Sequence, residues 1–127
     1  MKRSLMGLAA LCLAALSTAP ALAASASPIG QWQVTTGEAR YAVTSCGGGL
    51  CAKLVWLRDD ARTAQNLALL NHYVVRGAQP AGGGTWSGQL RLNGSSYEGT
   101  MQMVSKNFMT LKGCSGMLCQ TFEFTRI

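Results

Sequence analysis

The residues with the clearest capacity for chemistry are four cysteines, arranged in two short segments of similar design. The segments are Cys46-Gly-Gly-Gly-Leu-Cys51 and Cys114-Ser-Gly-Met-Leu-Cys119, so each places four residues between its cysteines and Leu before the second one. Dithiol redox catalysts and structural zinc sites characteristically separate their cysteines by two residues. The spacing therefore favours structural disulfides over a redox centre or a metal site.

The fifth cysteine, Cys12, lies in the amino-terminal apolar stretch that we predict to be removed as a signal peptide, so the four that remain can pair in three ways. We predict Cys46–Cys51 and Cys114–Cys119, because four residues is a common hairpin loop length and the flanking segments have strand-like composition. Cysteines that close such a loop can lie within bridging distance. Disulfides in turn predict an oxidising compartment for the protein.

No other set of residues forms a catalytic motif. His72 is the only histidine, and no nucleophile motif accompanies it, as a Ser-His-Asp arrangement would require. Asp59 and Asp60 are adjacent, so in an extended chain they point apart and cannot act as paired carboxylates. Residues 47–49 lack the Lys-Ser/Thr and the helix of a phosphate-binding loop. The sequence therefore predicts no catalytic residues, no cofactor and no enzymatic activity.

Four methionines, Met101, Met103, Met109 and Met117, have the soft sulfur ligands that copper(I) prefers. Met101 and Met103, however, each lie an even number of positions after Tyr97 in a predicted strand. All three side chains therefore lie on its apolar face. Filling a core or lining an apolar cavity explains them better. We therefore predict no metal site.

The first residues have the three-part layout of a secretory signal peptide. Residues 1–3 are basic, residues 5–16 are an apolar stretch, and residues 21–23 read Ala-Leu-Ala. The apolar stretch is shorter than the ~20 residues that a spanning helix needs. We predict a signal peptide over 1–23, with Ala26 as the alternative cleavage position. The mature chain, 24–127, would be one domain without an integral membrane segment, located in the periplasm or secreted.

The charge pattern argues against a nucleic-acid partner. Loss of Lys2 and Arg3 with the signal peptide would lower the formal net charge from +6 to +4, and the remaining basic residues are scattered. Nucleic-acid binding would require a concentrated basic stripe.

Short alternating segments joined by turn signals make up the mature chain. Residues 85–92 alternate between apolar and polar side chains, and Asn93-Gly94 then supplies a strong hairpin turn. Residues 67–75 fit either a helix or a strand end, and residues 79–84 are predicted to be a Pro/Gly loop. Further strands are predicted over 31–35, 40–45, 52–57, 96–105, 108–112 and 120–126.

These strands are joined by tight turns, without the long crossovers that parallel strands need, so the sheet is predicted to be antiparallel. Alternation of period two implies one buried and one solvated face. About eight strands in ~100 residues close best into a small up-and-down β-barrel, with a β-sandwich as the second candidate. The predicted fold class is therefore all-β.

The two ends of the mature chain resemble the lipocalin and fatty-acid-binding superfamily. Gly30-Gln31-Trp32 opens the first strand, and Arg126 lies near the end of the last. In that superfamily a Gly-x-Trp starts the barrel and an Arg of the final strand stacks on the Trp. The resemblance implies that Arg126 packs on Trp32 and closes one end of the barrel, through a cation–π contact.

The chain as a whole resembles DUF2147, a family of secreted bacterial domains without an established activity. The resemblance runs from about residue 29 to residue 127 and is most specific in the two cysteine segments, with Lys-Leu-Val-Trp-Leu at 53–57 and Trp-Ser-Gly at 86–88. It implies a lipocalin-like barrel and no chemistry. Residues 58–70 depart from the Asn/Asp/Pro-rich segment that is common there. If this segment shapes the barrel mouth, the ligand would differ from that of other members.

Two functions of different classes fit such a barrel. In the first, the barrel holds a small apolar or amphipathic ligand, admitted by loops 47–49 and 79–84, whose glycines can open without steric cost. In the second, a solid barrel uses its cysteine loops and residues 58–65 to grip or inhibit an envelope protein. The cavity volume distinguishes them. The predicted ligand-lining residues share the inward parity of their strands: Trp86, Leu90, Leu92, Tyr97, Met101, Met103, Phe122 and Phe124.

Overall fold

The structure, a computed structural model, describes residues 26–127, so the predicted signal peptide over 1–23 lies outside the described residues. Antiparallel strands β1 to β8 follow one another in chain order and close into a barrel. The predicted all-β up-and-down barrel is confirmed, and the sandwich is not formed. The strands are β1 Gly30–Val34, β2 Ala39–Cys46, β3 Gly49–Leu57, β4 Tyr73–Gly82, β5 Thr85–Leu92, β6 Ser95–Ser105, β7 Phe108–Ser115 and β8 Leu118–Arg126.

The long connection between β3 and β4 carries the helical residues. A short 3-10 helix covers Asp59–Ala61, and a one-turn α-helix, α1, covers Ala64–Leu67. The Thr63 side chain caps α1 by accepting a hydrogen bond from the backbone N–H of Asn66, at 3.2 Å, which is a typical role for Thr at this position. The segment 67–75, which fitted either a helix or a strand, therefore divides into the end of α1, a turn and the start of β4.

Strand β4 is longer than predicted, because residues 79–82 are strand and not part of a Pro/Gly loop. The register between β4 and β5 shifts twice along this stretch, and Gly77 and Gly82 have φ of 69° and 89°. Bulged positions of this kind accept Gly and Pro that a regular ladder would exclude. Pairing with β3 ends at Ala78, so Pro80 lies where β4 has a partner on one side only.

Each disulfide lies within one hairpin. Cys46–Cys51 joins β2 to β3, and Cys114–Cys119 joins β7 to β8. The hairpins are tighter than the four-residue loops expected, because the strands continue through the cysteines and leave two-residue turns. Cys114 and Cys119 are direct cross-strand partners, with Cα atoms 4.0 Å apart. The other pair is diagonal across its hairpin, with Cα atoms 5.9 Å apart.

The hydrophobic core takes side chains from every strand. Its members include Trp32 of β1, Val43 of β2, Leu90 of β5 and Phe124 of β8. Among residues 26–127, no polar or charged side chain is fully buried. The core is therefore held by apolar contact, as expected when the inward positions of all strands meet.

The turns alternate between two ends of the barrel. The start of β1, the end of β8 and the turn at 47–48 lie at one end, which we call the closed end. The other end, which we call the mouth, carries the turn at 35–38, the β3–β4 connection, Asn93-Gly94 and the turn at 116–117. Within the described part of the chain, no helix is long and apolar enough to span a bilayer.

Candidate ligand-binding cavity

The closed end is plugged by a pair of residues from the first and last strands. Trp32 of β1 and Arg126 of β8 are register partners, and the guanidinium carbon lies 4.3 Å from the centre of the indole ring. Trp32 has no exposed surface, and its Nε1 donates a hydrogen bond to the carbonyl of Pro28 at 2.8 Å. The ring and the guanidinium together seal this end against solvent.

The Arg126 side chain also ties separate segments together. It donates hydrogen bonds to the carbonyl oxygens of Ile29 at 2.9 Å, Ser27 at 2.8 Å and Lys106 at 3.0 Å. Gly30 makes room for this arrangement, because a Cβ atom there would lie 2.5 Å from Nη1 of Arg126. Gly30 also has φ of 144°, a conformation that L side chains rarely adopt, so both its backbone and the nearby guanidinium favour glycine here.

Above this plug the barrel contains an apolar cavity of about 220 Å³. Every strand contributes to the wall of the cavity. The contribution of β1 is Val34 alone, at the mouth. The rings of Tyr41 and Phe124 meet edge to face within the wall, with centroids 5.5 Å apart. The apolar lining also includes Val43, Ala52, Val74, Val75, Leu90, Met101, Met109, Leu111 and Phe124.

The mouth of the cavity is more polar than its floor. Asn66 of α1 and Leu69 after it cover part of the opening, with Asn93 of the β5–β6 turn on another side. The Asn66 side chain donates a hydrogen bond to the carbonyl of Ala61 at 2.9 Å, which fixes its position. Burial raises the pKa of Tyr41 above its usual value near 10, and the negative charge of Glu38 raises it further. The Tyr41 hydroxyl therefore stays protonated and uncharged at neutral pH.

The cavity continues into an open groove at the mouth, of about 660 Å³. Pairing between β6 and β7 begins at Glu98 and Cys114, so beyond this point the two hairpins β5–β6 and β7–β8 separate. Tyr97 and Leu118 line the groove, and Leu92, Phe122 and two further residues line both spaces. The groove and the cavity therefore adjoin each other at these four residues.

Comparison with known proteins identifies the family of this barrel. A family model described as an uncharacterised protein conserved in bacteria, DUF2147, matches residues 30–126. The chain belongs to the DUF2147 family. Among curated protein sequences, no match was found.

A solved structure supports the same architecture for this DUF2147 domain. It is a Helicobacter pylori protein described as belonging to the lipocalin family, with a TM-score of 0.62 and 13% sequence identity. The similarity covers 80% of this chain and 83% of that chain. At this identity the comparison shows the fold alone, which is a lipocalin-like barrel.

The structure brings five of the eight predicted lining residues to the cavity of the DUF2147 domain: Leu90, Leu92, Met101, Phe122 and Phe124. Tyr97 lines the groove instead. Trp86 and Met103 pack against the core without lining the cavity. Alternation along a strand therefore predicted which side chains join the core, but not which of them line the cavity.

Several lining residues of the domain were missed. Met109 and Leu111 alternate within the predicted strand 108–112, so this signal was present in the sequence. Val74 and Val75 are consecutive and both buried, which breaks the alternation because the β3–β4 register shifts there. Nothing in the local sequence indicates that Asn66 and Leu69 cover the mouth.

The two loops that we expected to admit a ligand do not lie at the mouth of the cavity. Residues 47–49 and 79–84 lie at the closed end, near the Trp32–Arg126 pair, and most of 79–84 is strand. The segment 58–70 shapes the mouth instead, where Leu69 and Leu70 pack on a small cluster with Leu54. In this DUF2147 domain, residues 58–70 therefore lie beside the cavity.

The residues that we considered for catalysis or metal binding lie at separate places in the structure. Asp60 binds Arg58 through two hydrogen bonds of 2.6 and 3.0 Å, and these lower the pKa of the carboxyl group. His72 lies on the outer surface beside Tyr73 and Arg76. Met117 is 98% exposed at the tip of the β7–β8 hairpin, far from the buried Met101. Among residues 26–127, no three His, Cys, Asp or Glu side chains group as metal ligands would.

Proposed function

We propose that this DUF2147 domain binds one small apolar or amphipathic molecule inside its barrel. The observation that carries the proposal is the apolar cavity of about 220 Å³, plugged at one end by Arg126 and open through a groove at the other. Ligand sites are typically concave and apolar with a few polar groups that fix orientation. Tyr41, Asn66 and Asn93 supply such groups at the mouth.

The cavity volume limits the buried part of the ligand. An apolar cavity of ~150 Å³ engineered into another protein accommodates benzene. By proportion, the cavity here holds roughly nine non-hydrogen atoms. A longer molecule would have to extend into the groove.

The proposal is a binding role without catalysis or a cofactor. The cavity wall consists of aliphatic, thioether and aromatic side chains, and the three polar residues at its mouth are Tyr41, Asn66 and Asn93. General acid–base catalysis requires a group that can exchange a proton near neutral pH. Tyr41 is the lining residue that ionises, and the raised pKa of its phenol keeps it protonated there.

The protein is proposed to act in the periplasm or outside the cell. Two hairpin disulfides support this location, because such bonds persist in oxidising compartments. The amino-terminal segment 1–23 supports it through its basic, apolar and small-residue layout.

A second candidate function is contact with an envelope protein through the second cysteine loop. It is favoured by the tip of the β7–β8 hairpin, where Met117 is 98% and Leu118 80% exposed. Large apolar side chains held out by a disulfide-bonded hairpin are typical of interaction sites. The second function was first stated for a barrel with a packed, solid interior, and the cavity argues against that part of it.

A matched pair of substitutions tests ligand binding. Ala52→Leu adds volume to the cavity wall, whereas Ala42→Leu adds the same volume on the outer face of the same hairpin. The uncharged fluorescent probe N-phenylnaphthylamine should bind the wild type and the Ala42→Leu variant, and bind Ala52→Leu weakly. Equal binding by both variants, or none by the wild type, would contradict the proposal.

A further inference from the structure

We propose that the molecule held in this cavity is uncharged and carries one hydrogen-bonding group that meets the polar side chains of the mouth. The inference rests on the proposed function and adds to it the chemical class of the ligand.

The placement of charges carries the argument. Outside the signal segment the chain has nine Lys and Arg residues and five Asp and Glu residues, and none of them lines the cavity or the groove. A carboxylate or an ammonium group that entered would lose water without gaining a counter-ion, which is strongly unfavourable. The lining therefore selects against both kinds of ion.

The polar side chains at the mouth fit a neutral head group. The Asn66 amide nitrogen is engaged by the carbonyl of Ala61 at 2.9 Å, which leaves its oxygen as an acceptor directed to other partners. The Tyr41 hydroxyl can both donate and accept, and Asn93 offers a second carboxamide. A hydroxyl, amide or ring N–H on the ligand would find partners here, while its apolar part occupies the cavity.

Charged residues stand around the mouth without entering the cavity. Glu38 lies near Tyr41, where burial raises the pKa of the phenol and the carboxylate raises it further. Arg58 and Arg62 stand at the same end, bound to the carbonyl oxygens of Thr36 and Leu57. The selection against ions therefore rests on the uncharged lining of the cavity.

Three probes with the same eight-carbon chain separate the possibilities: octanol, octanoate and octylammonium. Near pH 7 the last two are fully charged. Each is titrated against the full mature protein carrying bound N-phenylnaphthylamine, and its displacement gives the affinity. We expect octanol to bind at least about tenfold more tightly than either ion, since a buried unpaired charge is more costly than a buried hydroxyl.

Two tyrosine variants test the head-group contact. Tyr41→Phe should weaken octanol binding roughly three- to tenfold, the loss expected for one hydrogen bond. Tyr73→Phe, the same change on the outer surface, should leave it unchanged. Equal affinity of octanol for Tyr41→Phe and wild type would overturn the assignment of the hydroxyl.

The outcomes separate this inference from the proposed function. Octanoate or octylammonium binding as tightly as octanol would overturn the inference and leave the ligand-binding function intact. Failure of every probe, including N-phenylnaphthylamine, would overturn the function and the inference with it.

Discussion

Arg126 covers one face of Trp32, with its guanidinium carbon 4.3 Å from the ring centre, while the same guanidinium binds three carbonyl oxygens. One side chain thus joins β8 to β1, to the segment before β1 and to the β6–β7 turn. Closure of the barrel depends on β1 meeting β8 over a short stretch of pairing. The contact therefore stabilises the seam between β1 and β8, where three residue pairs are in register.

Replacing Arg126 should measurably destabilise the protein. We expect Arg126→Ala to lower the free energy of unfolding by about 2 kcal/mol or more, from the cation–π contact and the hydrogen bonds together. For a domain of this size that corresponds to a Tm lower by roughly 10 °C. Arg91→Ala, at an exposed arginine on the outer face of β5, is the control and should change Tm little. Equal Tm values for the two variants would show that the seam does not depend on Arg126.

Gly30→Ala should destabilise the fold through the same arginine. Its new methyl group would lie 2.5 Å from Nη1 of Arg126. Gly48→Ala is the control, because Gly48 also has positive φ but a Cβ atom there meets nothing within 4 Å. Urea unfolding should show a larger loss for Gly30→Ala, and this excess should shrink in an Arg126→Ala background. Full additivity of the two changes would contradict the proposed clash.

The two disulfides should differ in how readily they are reduced. Cys119 is exposed, whereas Cys51 is 6% exposed, and thiol exchange requires access to the sulfur. Limited reduction followed by alkylation should label Cys114 and Cys119 first. Each bond is expected to contribute ~2 kcal/mol because the closed loops are short. Non-reducing peptide mapping checks the pairing, and a peptide that links the 46–51 and 114–119 segments would contradict it.

Tyr41 should make stability fall at alkaline pH. In the unfolded chain its phenol ionises near pH 10, whereas in the folded protein burial raises the pKa above this value. The unfolded state therefore loses its proton first, so the stabilisation is fully present below about pH 10 and decreases as pH rises through the folded pKa. Urea midpoints compared at about pH 9 and pH 11 should differ less in Tyr41→Phe than in the wild type. An identical pH dependence in both proteins would argue against a raised pKa at Tyr41.

Much of the architecture follows from local patterns. The alternation over 85–92 and the Asn93-Gly94 turn predict β5 with the bounds that the structure shows. The Gly-x-Trp start and Arg126 suggest by resemblance the contact that the structure places at the closed end. The stretch 79–82 was wrongly predicted as a loop, because Gly and Pro indicate turns and a bulged, one-sided strand tolerates them equally well.

The residues of the candidate site are harder to predict from local sequence patterns. Alternation places Met101 and Met103 on the same face, yet Met101 lines the cavity and Met103 does not. Met103 is the cross-strand partner of Met109, which does line the cavity, so the packing of side chains across the barrel decides the lining, and alternation alone does not. Val74 and Val75 show the same limit, since a register shift buries two consecutive residues.

By itself the sequence determined the class of fold and the order of its hairpins, because alternation and turn residues act between neighbours in the chain. Tertiary structure alone decided that a cavity of about 220 Å³ remains inside and that Asn66 and Leu69 stand at its mouth. Cavity volume is the space left between side chains from eight strands and a connecting segment. The volume is set by how residues distant in the chain pack against one another, and no local sequence pattern encodes that packing.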